Sequence, residues 1–264
     1  MYPRFLQFGA FVISTYGVLA LVAAFCGIAV WTSIARRIGL DAAKIQTAGF
    51  FTAVCIVVGA RLAVVIDNWQ GFLQAPLLIL SAGTLSTGSA AVFGVALAAV
   101  AVCVYLLFVH VPLIRALDAA APAVLLALAI LDIANFAAGS QYGAPTSVPW
   151  GVTYSSRFAA RTTGVPLGIA LHPVQLYAAI GHFVLAAVLV MMLRHVGRPA
   201  EVLGTALFAG GVLLFLLAPF SGDYADATVL FHVVTPAQAI AMLMVVLGGA
   251  CWLSRRPQPS VHHA

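Results

Sequence analysis

Apolar residues along this chain fall into long, nearly unbroken runs rather than alternating with polar ones. Seven runs predict membrane-crossing helices, over roughly residues 11–33, 45–66, 88–110, 119–138, 173–194, 203–220 and 235–253. Each approaches the ~20 residues a helix needs to cross a bilayer core. A membrane β-barrel would show segments of about ten alternating residues instead. The pattern therefore predicts an all-α integral membrane protein with seven transmembrane helices, a single polytopic domain over 1–264 without internal repeats. A shorter apolar piece, 76–86, precedes the third span and is interrupted by Gly83 and Gly88. It is expected to be re-entrant or interfacial, since non-helical backbone at that depth needs shelter from protein or water.

Composition points the same way. The chain is 63% hydrophobic and 7% charged, whereas soluble domains are about 25% charged. Too little polar surface remains to face water. The net charge of +5 does not indicate a nucleic-acid partner, because the basic residues form short clusters between apolar runs. With the N-terminus outside, the inner segments hold Arg36, Arg37, Lys44, Arg115, Arg194, Arg198, Arg255 and Arg256. The outer ones hold Arg4, Arg157 and Arg161. This bias predicts an N-out, C-in topology. Asp223 and Asp226 then lie outside, as does the longest polar stretch, at about 139–172. Loops of that length are usually functional or disordered. Cys26, Cys55, Cys103 and Cys251 each sit within an apolar run and read as small buried residues, with neither a disulfide framework nor metal spacing. The first run is too long for a signal-peptide core and reads as a retained span. The tail, with His262 and His263, reads as a frayed inner terminus.

Several hydrophilic side chains fall at one level near the outer ends of the spans. Arg61 and Asp132 lie roughly 7–9 Å below that boundary at 1.5 Å per helical residue. A lone charge there costs ~2.5–3.5 kcal/mol on insertion scales, so an Arg61–Asp132 pair is expected. Tyr16 lies near the outer end of the first span. Asn135 shares a helix face with Asp132 (i, i+3). His172, Gln175 and Tyr177 open the fifth span, where Pro173 suits a first helical turn. Each alone has a structural explanation, such as an interfacial aromatic for Tyr16. Together they predict an outward-opening polar pocket in an apolar wall.

The stretch NFAAGSQYGAPTSVPWGV from Asn135, together with HPVQLY at 172–177, resembles the prolipoprotein diacylglyceryl transferase family. Tyr16-Gly17, Gly59-Ala60-Arg61-Leu62, Asp118 and Gln238 fit the same pattern in the same order, so the resemblance spans nearly the whole chain. It implies transfer of the diacylglyceryl unit of phosphatidylglycerol to a cysteine thiol of a lipoprotein precursor, giving a thioether and glycerol phosphate. Its partners would be a phosphatidylglycerol-like phospholipid and lipobox-containing precursors. It implies neither cofactor nor metal, and a bacterial-type plasma (inner) membrane with the site facing outward. It also implies His172, Asn135 and Tyr16 as catalytic residues. Arg61, Gly139, Tyr142, Gly143, Gln175 and Tyr177 would bind substrate, and Trp150 belongs to the retained motif; beside the resemblance, Asp132 at the same depth and Arg157 and Arg161 on the outer stretch are further substrate-binding candidates. Thiolate is the nucleophile such chemistry needs, and the departing phosphate needs cationic donors.

The chain also departs from the family pattern. LSTGSA at 85–90 stands where a glycine-rich segment carries a His, with Gly88 at its place. Asp132 replaces a phosphate-contacting Arg, and Ser140 a Glu. Leu214, Ala218 and Ala178 stand at further charged positions of the pattern. Two alternatives therefore remain beside the transferase. One is a catalytically silent relative that binds phospholipid or precursor in the same pocket. The other is a transporter or channel, which would need polar residues continuing to the inner face. The topology is testable with C-terminal reporters: a fused green fluorescent protein should glow while a fused alkaline phosphatase stays inactive. The opposite pair of results would reverse the orientation.

Overall fold

The computed structural model describes residues 4–8, 11–74, 88–193, 198–222 and 234–253. Seven helices in it are long and apolar enough to cross a membrane. They are α1 (Thr15–Arg37), α2 (Ala42–Asp67), α4 (Gly88–Phe108), α5 (Leu113–Ala138), α7 (Val174–Met192), α8 (Glu201–Leu217) and α9 (Pro236–Leu253). Two short helices, α3 (Trp69–Gln74) and α6 (Arg157–Thr163), lie between them, and the 3-10 turn Ala218–Phe220 extends α8. The chain is thus an all-α multi-pass membrane protein.

Helix ends depart from the apolar runs where a polar group decides them. Residues 11–14 form β2 (Phe11–Ser14), antiparallel to β1 (Arg4–Phe8), rather than the start of the first span. Ser14 Oγ then accepts the Gly17 amide at 3.0 Å, a cap bond that starts α1 at Thr15. Past Arg37, Gly39 turns the chain at φ 78° and the Leu40 amide closes on the Ala35 carbonyl at 2.9 Å. α5 begins at Leu113, well ahead of the expected residue 119. The expectation stopped at Arg115 and Asp118, but the Asp118 carboxylate is not solvated. It accepts the Ala200 and Leu203 amides, each at 2.8 Å, and so caps α8, an anion at a helix N-terminus. The apolar piece 76–86 falls outside the described residues. So do Arg194, Asp223, Asp226, Arg255, Arg256, His262 and His263.

The chain divides into two compact units, one of Met1–Gly27 with Leu117–Ala264, the other Ile28–Ala116. In the Ile28–Ala116 unit, α2 and α4 approach closely through glycines. A methyl on Gly94 would lie 2.5 Å from the Ile56 carbonyl oxygen, and one on Gly59 2.9 Å from Gly94 Cα. Small residues let helix backbones meet in lipid, where dispersion and packing replace the hydrophobic drive. The helix ends are tied by side chains. Asp41 accepts the Ala43 and Lys44 amides, Lys44 Nζ donates to the Val109 carbonyl at 3.0 Å, and Trp31 Nε1 donates to the Ala116 carbonyl at 3.0 Å.

In the other unit, α8 and α9 meet the same way. A methyl on Gly248 would lie 2.5 Å from the Phe208 amide nitrogen. α5, α7 and α8 share a cluster of Ala121, Leu125, Ala186, Leu189 and Val202. α9 starts with a reciprocal cap: Thr235 Oγ1 accepts the Gln238 amide at 3.2 Å while Gln238 Oε1 accepts the Thr235 amide at 3.1 Å. Gln238, noted in the sequence for its family position, is a capping residue. Because backbone blocks the space beside Gly94, Gly94→Ala should cost about 1–3 kcal/mol, as overpacking does. Gly71→Ala, which meets nothing within 4 Å, should stay within about 0.5 kcal/mol of wild type. Thermal unfolding in detergent compares the two, and equal stability would contradict the close approach of α2 and α4.

Candidate functional site

The polar stretch after α5 is an ordered platform, built outward from the end of that helix. Gly139 takes φ 79°, and both its amide and that of Ser140 return to the Asn135 carbonyl, at 2.9 and 3.0 Å. Glycine suits that left-handed position because it has no Cβ to clash. The next residues run between two edges. On one side the Ala144 amide donates to the Phe220 carbonyl at 2.8 Å and the Gly222 amide to the Tyr142 carbonyl at 2.9 Å. On the other, the His172 amide donates to the Ala144 carbonyl and the Thr146 amide to the Ala170 carbonyl, both at 2.9 Å. Beyond this, β3 (Val152–Thr153) pairs with β4 (Ala170–Leu171). Gly143 lies directly against the His172 carbonyl oxygen, leaving no room for a side chain.

A buried polar chain pins this platform to α7. Asn135, Gln175 and Tyr154 are 8%, 3% and 2% exposed. Ser140 Oγ donates to Asn135 Oδ1 at 2.8 Å. Gln175 Nε2 donates to the Ser140 carbonyl at 2.8 Å and to Tyr154 Oη at 3.2 Å. The Ser140 carbonyl can only accept, which fixes the orientation of the Gln175 amide. Burial pushes the Tyr154 phenol above its ordinary pKa, and the bond from Gln175 opposes that rise.

At the rim, Trp150 Nε1 donates to Tyr177 Oη at 2.7 Å. Tyr177 Oη lies 3.5 Å from His172 Nδ1, and the His172 ring meets Phe220 edge-on at 5.1 Å. Deeper along the same two helices, His182 Nδ1 lies 2.7 Å from Asp132 Oδ2.

The sequence-singled residues thus fall into three groups on the α5–α7 side. Asn135 and Gln175 join through Ser140. His172 and Tyr177 join at the rim with Trp150. Asp132 joins His182, a residue the sequence reading did not single out. Gly139, Tyr142 and Gly143 shape the platform backbone. Tyr16 sits in the first turn of α1, 41% exposed, and Arg157 and Arg161 are exposed on α6. Arg61 belongs to the Ile28–Ala116 unit, on α2.

A family model described as prolipoprotein diacylglyceryl transferase matches residues 3–254. The chain belongs to this family. Among similar proteins named phosphatidylglycerol–prolipoprotein diacylglyceryl transferase, one from Trichormus variabilis is 24% identical over 98% of this chain and 93% of its own length. One from Finegoldia magna is 26% identical over 68% of this chain and 67% of its own. One from Fusobacterium nucleatum is 30% identical over 59% of this chain, which spans only about half, 53%, of that relative. The two family-like stretches, from Asn135 and from His172, are the segments the platform hydrogen-bonds together.

Beyond His182, sequence reasoning missed Tyr154 and Phe220. His182 was findable: it is an ionisable residue inside an apolar span, which is a functional candidate by default. It also lies seven residues after Gln175, on the same helix face. Tyr154 and Phe220 carried no comparable signal. Because the Gln175 amide satisfies two groups at once, Gln175→Leu should cost about 1–3 kcal/mol by leaving them unpaired. Tyr154→Phe, which leaves the Gln175–Ser140 bond in place, should cost less. Unfolding in detergent ranks the two, and the reverse order would contradict the network.

Proposed function

We propose that this family member transfers diacylglyceryl from phosphatidylglycerol to the cysteine thiol of a lipoprotein precursor. The supporting observation is the platform itself, which locks the Asn135–Tyr142–Gly143 stretch to the His172–Gln175–Tyr177 stretch at one end of α5 and α7. In this reading that end faces outward from a bacterial plasma membrane. Phospholipid enters sideways and precursor from the aqueous side. The thiolate sulfur bonds to the glyceryl carbon, and the carbon–oxygen bond to phosphate breaks, releasing glycerol phosphate.

The residue roles are part of the proposal. His172 binds the headgroup from the rim, where Tyr177 and Phe220 hold its ring. Asn135 and Tyr16 orient the reacting groups. Arg61, Arg157 and Arg161 neutralise the phosphate, which fixed cationic donors do best. Asp132 acts on the substrate side through its partner, while Gly139, Tyr142, Gly143, Gln175 and Tyr177 form the wall that shapes the pocket.

The test is complementation of a strain lacking its diacylglyceryl transferase, with mass spectrometry of a lipobox peptide. Wild type should restore growth and add the diacylglyceryl mass. His172→Ala and Arg61→Met should each lose at least about 100-fold in thioether formation, as loss of an electrostatic contact in the transition state does, while remaining folded. Phospholipid that co-purifies with wild type without any thioether product would instead mark a silent, lipid-binding relative.

A further inference from the structure

Asp132 and His182 form a hydrogen-bonded pair inside the membrane-crossing part of the fold. Asp132 lies six residues before the end of α5 and His182 eight residues after the start of α7. At 1.5 Å per residue these are depths of about 9 and 12 Å. Their atoms are 2.7 Å apart. With the carboxylate as acceptor, the proton of the bond sits on His182 Nδ1, and Nε2 is the ring nitrogen left for another partner. Among the described residues, Nε2 has no hydrogen-bond partner, and the two side chains are 18% and 14% exposed. The imidazole is therefore oriented by a carboxylate on one nitrogen, and its side chain keeps partial exposure.

Stability alone explains such a pair poorly. Taking such polar groups from water carries a desolvation cost, and apolar residues of similar volume commonly serve as well or better. Ionisable groups persist inside membrane spans mainly where they handle ions, protons or ligands. A carboxylate behind a histidine does two things for proton transfer: it fixes the tautomer, and it stabilises the ring once the far nitrogen has taken a proton. Gln175, on the same face of α7, cannot share that task, because a neutral carboxamide does not take up a proton.

We propose that His182 is the base that takes the proton of the acceptor thiol, and that Asp132 is its positioning residue. This rests on the transferase reading above. The thiol S–H bond breaks, its proton passes to His182 Nε2, and its electron pair stays on sulfur. Sulfur then bonds to the glyceryl carbon as the carbon–oxygen bond breaks and leaves its pair on the phosphate oxygen. The imidazolium returns its proton to the departing phosphate or to water, so atoms and charge balance. His172 at the rim keeps the headgroup, and His182 below it meets the thiol.

The experiment uses the full chain in vesicles of phosphatidylglycerol with a synthetic lipobox peptide, reading thioether by mass spectrometry. His182→Gln should lower the turnover rate by about 100-fold or more, the size of a general-base contribution, with KM for the peptide changed far less. Asp132→Asn should lower it by a smaller factor. Added imidazole should restore part of the rate of His182→Ala and none of that of His172→Ala. The paired change Asp132→Leu with His182→Leu, which removes both partners of the 2.7 Å bond, should fold and remain inactive. Full activity of that double variant, or of His182→Gln, would overturn the base assignment while leaving the transferase standing. A wild type that makes no thioether would overturn the transferase reading, and the base assignment with it. If His182→Gln fails to fold, imidazole rescue and the paired leucine variant still decide.

Discussion

Polar groups at bilayer depth must find their partners inside the protein, because lipid offers none. That constraint governs the α5–α7 side of this chain. α5 and α7 carry Asp132, Asn135, Gln175 and His182 into a hydrocarbon-like setting. The chain answers with two sets of contacts. Near the helix ends, Asn135, Ser140, Gln175 and Tyr154 bond in sequence. Deeper, Asp132 meets His182 directly. The same rule acts at the opposite end of α5, where the Asp118 carboxylate takes up two amides at the start of α8.

The platform after α5 follows from these contacts. Gln175 reaches from α7 to the Ser140 carbonyl, drawing the chain beyond α5 against α7. Gly143 then admits the His172 backbone at a distance no side chain would allow. The residues 142–146 become a strand-like segment bonded on both edges, and Tyr177, Trp150 and His172 gather at its border. Positions that read as substrate contacts in the family pattern are therefore partly structural in this chain. Gln175 holds the wall and Gly139 ends a helix.

The architecture was legible because its signal is physical and local. Seven long apolar runs in a 7% charged chain admit few folds besides a helical bundle in lipid. Helix ends were less legible, since they depend on single polar atoms such as Ser14 Oγ and on pairings such as β1 with β2. The platform was invisible as structure because its bonds join residues far apart in sequence with no periodic pattern. Within the site, the grouping of Asn135, His172, Gln175 and Tyr177 at one helix end could be read from depth alone. The partner of Asp132 could not. His182 beside Asp132 shows only in the facing of α5 and α7.

The account rests most directly on the proton between Asp132 and His182. NMR of protein labelled with ¹⁵N-histidine in lipid nanodiscs would observe it without altering the site. The account predicts a slowly exchanging, strongly downfield Nδ1 proton on His182 that disappears when Asp132 is replaced by Asn. An ordinary, exchange-averaged imidazole at His182, indifferent to that replacement, would contradict it.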